Sequence, residues 1–161
     1  MNKTTTEPIM YTAAITGTTI SAIGSTPSNI FSEQQLETFN LWGNVLQATG
    51  NSLVADSEES VNPRKIGNQI QAIGNVTVVA GIVIDFSKVT KQQLDIKGNL
   101  MQALGGSAAF SQALSEEHSP SVLLDLYGNL LQAIGNSLQA ISGIIEVNGG
   151  SGQKINTAGS W

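Results

Sequence analysis

Cysteine is absent from this 161-residue chain, which removes disulfides, thiolate nucleophiles and thiolate metal sites together. Charge is nearly as scarce: Asp, Glu, Lys and Arg make up 12% of the residues, about half the share usual for a soluble domain. The seven basic residues are scattered and the net charge is -5, so nothing provides the cationic patch that a phosphate backbone requires. Nucleic acid is therefore excluded as a partner. Aromatic residues amount to 5%, and a single histidine, His118, lies in SEEHSP beside two glutamates. One loop histidine supplies no ligand set for a metal and no Ser-His-Asp arrangement. Glycine-rich nucleotide loops are missing too, since no strand–loop–helix context and no Gly-Lys-Ser/Thr ending occurs. The sequence offers no catalytic residue, no metal site and no cofactor, and the expectation is a protein that is not an enzyme.

Gly, Asn, Gln, Ser and Thr stand where the charge is missing. They are ordered. Pairs of glycines one heptad apart recur as GTTISAIG at 17–24, GNVLQATG at 43–50, GNQIQAIG at 67–74, GNLMQALG at 98–105 and GNLLQAIG at 128–135. The consensus is G-N-x-h-Q-A-h-G with h aliphatic, and the copies begin at Gly17, Gly43, Gly67, Gly98 and Gly128. Internal repeats of this length imply one supersecondary unit copied along the chain. The first copy falls where a signal peptide would lie, but Glu7 and Pro8 spoil that reading, so the segment is repeat one. With no convincing leader and no convincing membrane helix, the compartment is unassigned and leans to the cytoplasm.

Turn and capping signals separate the copies. Ser32 with Gln35, and Thr90 with Gln93, fit the capping box, while Asn62-Pro63 and Ser119-Pro120 place a cap before a first-turn proline. Helices are expected near 8–24, 33–56, 63–87, 91–115 and 120–145, including the β-branched VTVVAGIVI at 76–84. Short connections make successive helices antiparallel neighbours. The expected fold is an all-α, up-and-down antiparallel bundle of about five helices built from a glycine-heptad repeat. Residues 1–146 form a single helical domain, and 147–161 form a flexible tail or the start of a further repeat. Gly159 follows Gly128 at the same interval that separates Gly98 from Gly67.

Interior glycine costs a helix roughly 1 kcal/mol against alanine, so ten of them need compensation. Close backbone approach supplies it. The expected packing seam consists of Gly17, Gly24, Gly43, Gly50, Gly67, Gly74, Gly98, Gly105, Gly128 and Gly135. Beside it runs a carboxamide stripe of Asn44, Gln47, Asn68, Gln71, Asn99, Gln102, Asn129, Gln132, Asn136 and Gln139, read as an outward face on which copies of the chain could pair. Asp95 and Asp125, with Asn40 and Asn156 as equivalents, precede the repeat glycine by three and are read as structural hydrogen-bonding groups. Trp42 and Tyr127, just before their repeat glycines, are expected to cover the seam's edge.

Residues 38–55, 66–84, 98–115 and 126–145 contain no charged side chain. Runs of 18 to 20 such residues approach a bilayer-spanning length, yet lipid cannot satisfy their repeated carboxamides. Membrane contact is disfavoured on that ground. The leading expectation is a structural, interaction or self-assembly module, with a homo-oligomer or another protein as partner; the alternative is a membrane-active bundle, toxin-like or pore-forming. The blocks TTISAIGSTPS and GNLLQAIGNSLQAISG resemble a family of repetitive, functionally uncharacterised bacterial proteins from spore-forming Gram-positive species. The resemblance implies a repetitive helical fold and carries no activity, cofactor or catalytic residue with it.

Overall fold

A computed structural model describes residues 3–117 and 119–157. His118 and the start of a further copy at Gly159 lie outside the described residues. Five helices follow one another: α1 (Lys3–Gly24), α2 (Glu33–Ser57), α3 (Pro63–Val83), α4 (Lys88–Leu114) and α5 (Pro120–Thr157). The fold is an all-α bundle in which each helix packs against the next. α1 and α5, at the two ends of the series, touch only lightly.

Local sequence explains most boundaries. At α2, Gln35 N–H donates to Ser32 Oγ at 3.3 Å while Ser32 N–H donates to Gln35 Oε1 at 2.9 Å, a complete capping box. Asn62 accepts from Lys65 N–H at 2.8 Å, and Pro63 opens α3. Two expectations shift at the next junction. α3 ends at Val83 because Ile84 turns extended, its N–H held by the Ala80 carbonyl. Ser87, not Thr90, then caps α4, accepting from Thr90 N–H at 3.2 Å and admitting Lys88, Val89 and Thr90 to the first turn. α5 also runs on to Thr157, through the glycine-rich VNGGSGQK that reads as a flexible tail by composition.

No described glycine has positive φ. These glycines therefore serve close approach rather than turning. A Cβ on Gly17 would stand 2.7 Å from the Gly43 carbonyl oxygen, and one on Gly50 would stand 2.7 Å from Ala14 N. Gly43 meets the Ser21 backbone, and Gly24 meets Asn40 N. In the second hairpin, a Cβ on Gly67 would lie 2.5 Å from the Gly105 carbonyl oxygen, and one on Gly74 would lie 2.7 Å from that of Gly98. The pairing is antiparallel: as numbers rise along one helix they fall along its neighbour. Eight of the ten expected seam glycines thus face backbone that a methyl group would strike. Gly128 and Gly135 do not. Nothing lies within 4 Å of a Cβ built on either, so the expectation of a tight seam fails for α5 within this chain.

Candidate functional surface

The interior is polar. The largest side chains wholly shielded from solvent are Gln71, Gln102 and Asn75, and the buried apolar residues are mostly alanines such as Ala103, Ala109, Ala113 and Ala140. Asn44, Gln47, Asn68, Gln71, Asn99, Gln102, Asn129, Gln132 and Asn136 are all buried, and Gln139 is half-buried. This corrects the expectation that they form an outward face for pairing between molecules. The Gln of the consensus stands at i+4 from the first glycine and at i−3 from the second, so it shares a helix face with both. A helix that presses its glycines against a neighbour must turn that Gln inward with them.

Those amides satisfy one another across the bundle. Gln102 Nε2 on α4 donates to Asn44 Oδ1 on α2 at 3.2 Å, and Gln71 Nε2 on α3 donates to Asn129 Oδ1 on α5 at 3.1 Å. Gln132 Nε2 on α5 reaches Thr18 Oγ1 on α1 at 2.8 Å and Gln47 Oε1 on α2 at 3.3 Å. A second device repeats within the helices. Asn99 Nδ2 donates to both the carbonyl oxygen and Oδ1 of Asp95, at 2.9 and 3.2 Å. Asn129 does the same to Asp125 at 2.9 and 2.8 Å, and Asn44 to Asn40 at 2.9 and 2.7 Å. The residue three before each of these repeat glycines is a hydrogen-bonding post, as its regular placement implied. Asn75 Nδ2 and Asn68 Nδ2 close back on the carbonyls of Gln71 and Arg64, both at 2.9 Å.

One feature of this interior is not written in any local pattern. Arg64 at the start of α3 joins three carboxylates from separate segments: Asp125 at 2.9 Å, Glu116 at 2.6 Å and Glu58 at 3.3 Å. Burial raises the Asp125 carboxyl above its ordinary value despite the nearby guanidinium. For Glu116 burial also pushes upward, but hydrogen bonds from Arg64 and Gln112 outweigh it and hold the group low. The cluster fastens the α2–α3 and α4–α5 ends of the bundle together.

The outside is aliphatic. Leu131, Ile134, Leu138, Ile141 and Ile145 project from α5, each more than half exposed. Ile66, Ile73, Val76 and Val83 are exposed on α3, Leu100, Leu104 and Leu114 on α4, Leu53 on α2, and Ile15 and Ile23 on α1. Trp42 and Tyr127 point outward as well, at 58% and 59% exposure, and do not cover the seam. Hydroxyl groups on the same helices are closed onto their own backbone. Thr77 Oγ1 donates to the Ile73 carbonyl at 2.8 Å, Ser107 Oγ to Ala103 at 2.9 Å, and Thr49 Oγ1 to Val45 at 2.9 Å. Most charged residues lie near the helix ends and the connections, while Asp95, Lys97 and Glu146 sit within α4 and α5.

Between α1 and α5 the bundle is split by an apolar cleft of about 140 Å³, bordered by Ile15, Thr18, Val54, Gly128 and Leu131, with Asn51 in its wall. Asn51 is 2% exposed, and its Nδ2 has no hydrogen-bond partner. Among the described residues no group of three His, Asp or Glu is placed to hold a metal ion.

Comparison with known proteins places this arrangement. Residues 10–161 match a family of unknown function (DUF6944), a span that takes in the glycine-paired blocks of all five helices. The chain belongs to that family. No curated protein and no solved structure matches it. This chain pairs an exterior rich in exposed aliphatic side chains with an interior of amides.

Proposed function

We propose that the protein is a non-enzymatic helical module that acts by packing, seated with its aliphatic exterior in the hydrocarbon of a lipid bilayer. The observation that carries this reading is the inverted burial: carboxamides inside, and Leu, Ile and Val outside on every helix. Fully burying such a side chain is worth about 1.5–3 kcal/mol, and soluble monomers rarely leave contiguous apolar patches beyond a few hundred Å². The uncharged belt of 18 to 20 residues on α2 to α5 spans about 27–30 Å along a helix, close to the hydrocarbon thickness.

The sequence raises the objection that lipid cannot satisfy Asn and Gln. The bundle answers it by pairing the amides internally, while surface hydroxyls donate to their own helix carbonyls. Among the described residues only α3 is long and apolar enough to cross a membrane alone. The other helices would enter as parts of a bundle whose buried amides are partnered except at Asn51 Nδ2 and Asn75 Oδ1. The blocks serve in this reading as one packing unit used repeatedly: those of α1 to α4 bring two backbones close, and the carboxamides of α2 to α5 bridge to a further helix.

The test uses Trp42, which faces outward, as a probe in a Trp161→Phe background. Mixed with vesicles, the protein is expected to float with the lipid, and bromine on the acyl chains should quench Trp42. Absence of flotation, or a Trp42 quenched by aqueous acrylamide alone, would remove the bilayer reading. Release of entrapped dye would favour the pore-forming form of it. A second reading is self-assembly in water, where aliphatic faces of several copies cover one another. The exposed leucines and open glycines of α5 favour it. A monodisperse monomer at high concentration in plain buffer would count against both.

A further inference from the structure

We propose that α5 carries a docking site for a second copy of this chain, in which two α5 helices pair antiparallel about a two-fold axis between Leu131 and Gln132. This names the contact behind the self-association reading, and it does not depend on whether lipid or water surrounds the bundle.

The α3–α4 hairpin supplies the pairing pattern, whereas α1–α2 packs in another register, with Gly17 against Gly43. GNQIQAIG in α3 and GNLMQALG in α4 lie antiparallel, with Gly67 against Gly105 and Gly74 against Gly98. First glycine meets second glycine, and second meets first. Such a motif is self-complementary. GNLLQAIG in α5 has the same spacing, so a copy of α5 running the other way would set Gly128 against the partner copy's second glycine and Gly135 against its first. The interface would continue, between molecules, a contact established within one.

Three further observations mark the place as unfilled. Both glycines have open space where a Cβ would project, unlike the corresponding pairs of the other four blocks. The aliphatic residue three after the first glycine is half-buried in the other blocks, at Ile20, Leu46, Ile70 and Met101. At Leu131 it is 66% exposed. Finally, Gly128 borders the cleft whose wall contains Asn51, a buried side chain whose Nδ2 has no hydrogen-bond partner within this chain. Residues 126–145 carry no charge, so symmetric pairing brings no like charges together. Gln132 need not move. Its amide is engaged with Thr18 and Gln47, just as Gln71 reaches a third helix while the glycines beside it hold α4.

The chain's lack of cysteine makes the test direct. In the full chain, Leu131→Cys would bring two thiols beside the two-fold axis, whereas Leu104→Cys, 67% exposed on α4, would not. Oxidised with copper phenanthroline, in detergent micelles and separately in plain buffer, L131C is expected to form dimer at least tenfold faster than L104C. Adding G128L and G135L should cut that rate at least tenfold, with the circular dichroism spectrum and melting temperature held. Equal cross-linking of the two cysteine variants, cross-linking that survives both leucines in a folded protein, or a monomer throughout would each overturn the pairing. Because the L131C to L104C comparison uses native glycines, it decides the matter even if the leucine variants misfold. A dimer formed in micelles by a protein that ignores vesicles would preserve this inference while removing the bilayer reading.

Discussion

The α3–α4 hairpin and α5 carry nearly the same eight residues and hold them in opposite circumstances. In the hairpin the glycines are pressed backbone to backbone, the consensus aliphatic is half-buried, and the amide bridges to a third helix. In α5 the amide bridge is made, but the glycines face open space and Leu131 stands exposed. The motif therefore has two separable parts. Its Gln anchors the helix to the middle of the bundle, while its glycines pack on a neighbour in the hairpin and face open space in α5.

The largest effect that sharpens this contrast comes from leucine at matched positions. Gly105→Leu would drive a side chain into the Gly67 carbonyl and the Gln71 backbone, and should cost about 3 kcal/mol or more, read as a collapse of the denaturant midpoint. Gly135→Leu in the monomer should leave stability level or slightly improved; an equal loss at both sites would break the contrast.

Next in size is the amide bridge. Gln71→Leu strips Asn129 Oδ1 of the donor from α3 and is expected to cost about 1–3 kcal/mol in urea unfolding. Because α5 keeps its bridge as the hairpin does, Gln132→Leu should cost a similar amount. Were Gln132 dispensable, α5 would lack even the anchoring half of the motif. A smaller effect of opposite sign is expected from alanine. Gly135→Ala meets no atom and should stabilise the monomer by up to about 1 kcal/mol through helix propensity, whereas Gly67→Ala should destabilise it.

The smallest effect concerns the post before the α4 glycine. Burial, and then repulsion from Glu146, raise the Asp95 carboxyl against the opposing hydrogen bond from Asn99. A carboxyl raised in the folded state costs stability once ionised, and the cost disappears as pH falls from that raised value to the ordinary one. Asp95→Asn, which installs the residue found at Asn40 in α2, should therefore raise the melting temperature at pH 7, with the gain shrinking towards about pH 4. A gain independent of pH would show that the charge is not its source.

Much of the fold could be read from local signals. Ser32, Gln35, Asn62 and Pro63 set helix starts that depend on neighbours a few residues away. Asn40, Asp95 and Asp125 were recognisable as posts because their partners lie one turn on. Which face of each helix points inward was not legible from polarity alone. A polarity pattern reports the inner face only if apolar side chains are the ones buried, and this chain buries its carboxamides instead. The glycines contained the needed signal: close approach is an interior property, so the Gln between them had to turn inward too. The meeting of Arg64 with Glu58, Glu116 and Asp125 joins segments far apart in sequence, and no periodicity encodes it.

An interior of carboxamides changes how this fold should answer to temperature. The large heat-capacity rise on unfolding, usually about 12–15 cal/mol/K per residue, comes from wetting apolar surface, and polar surface contributes with the opposite sign. Opening a core of Gln71, Gln102 and Asn75 wets little oil. Calorimetry of the monomer should show a shallow heat-capacity step, and cooling should weaken the fold less than it weakens an ordinary globule.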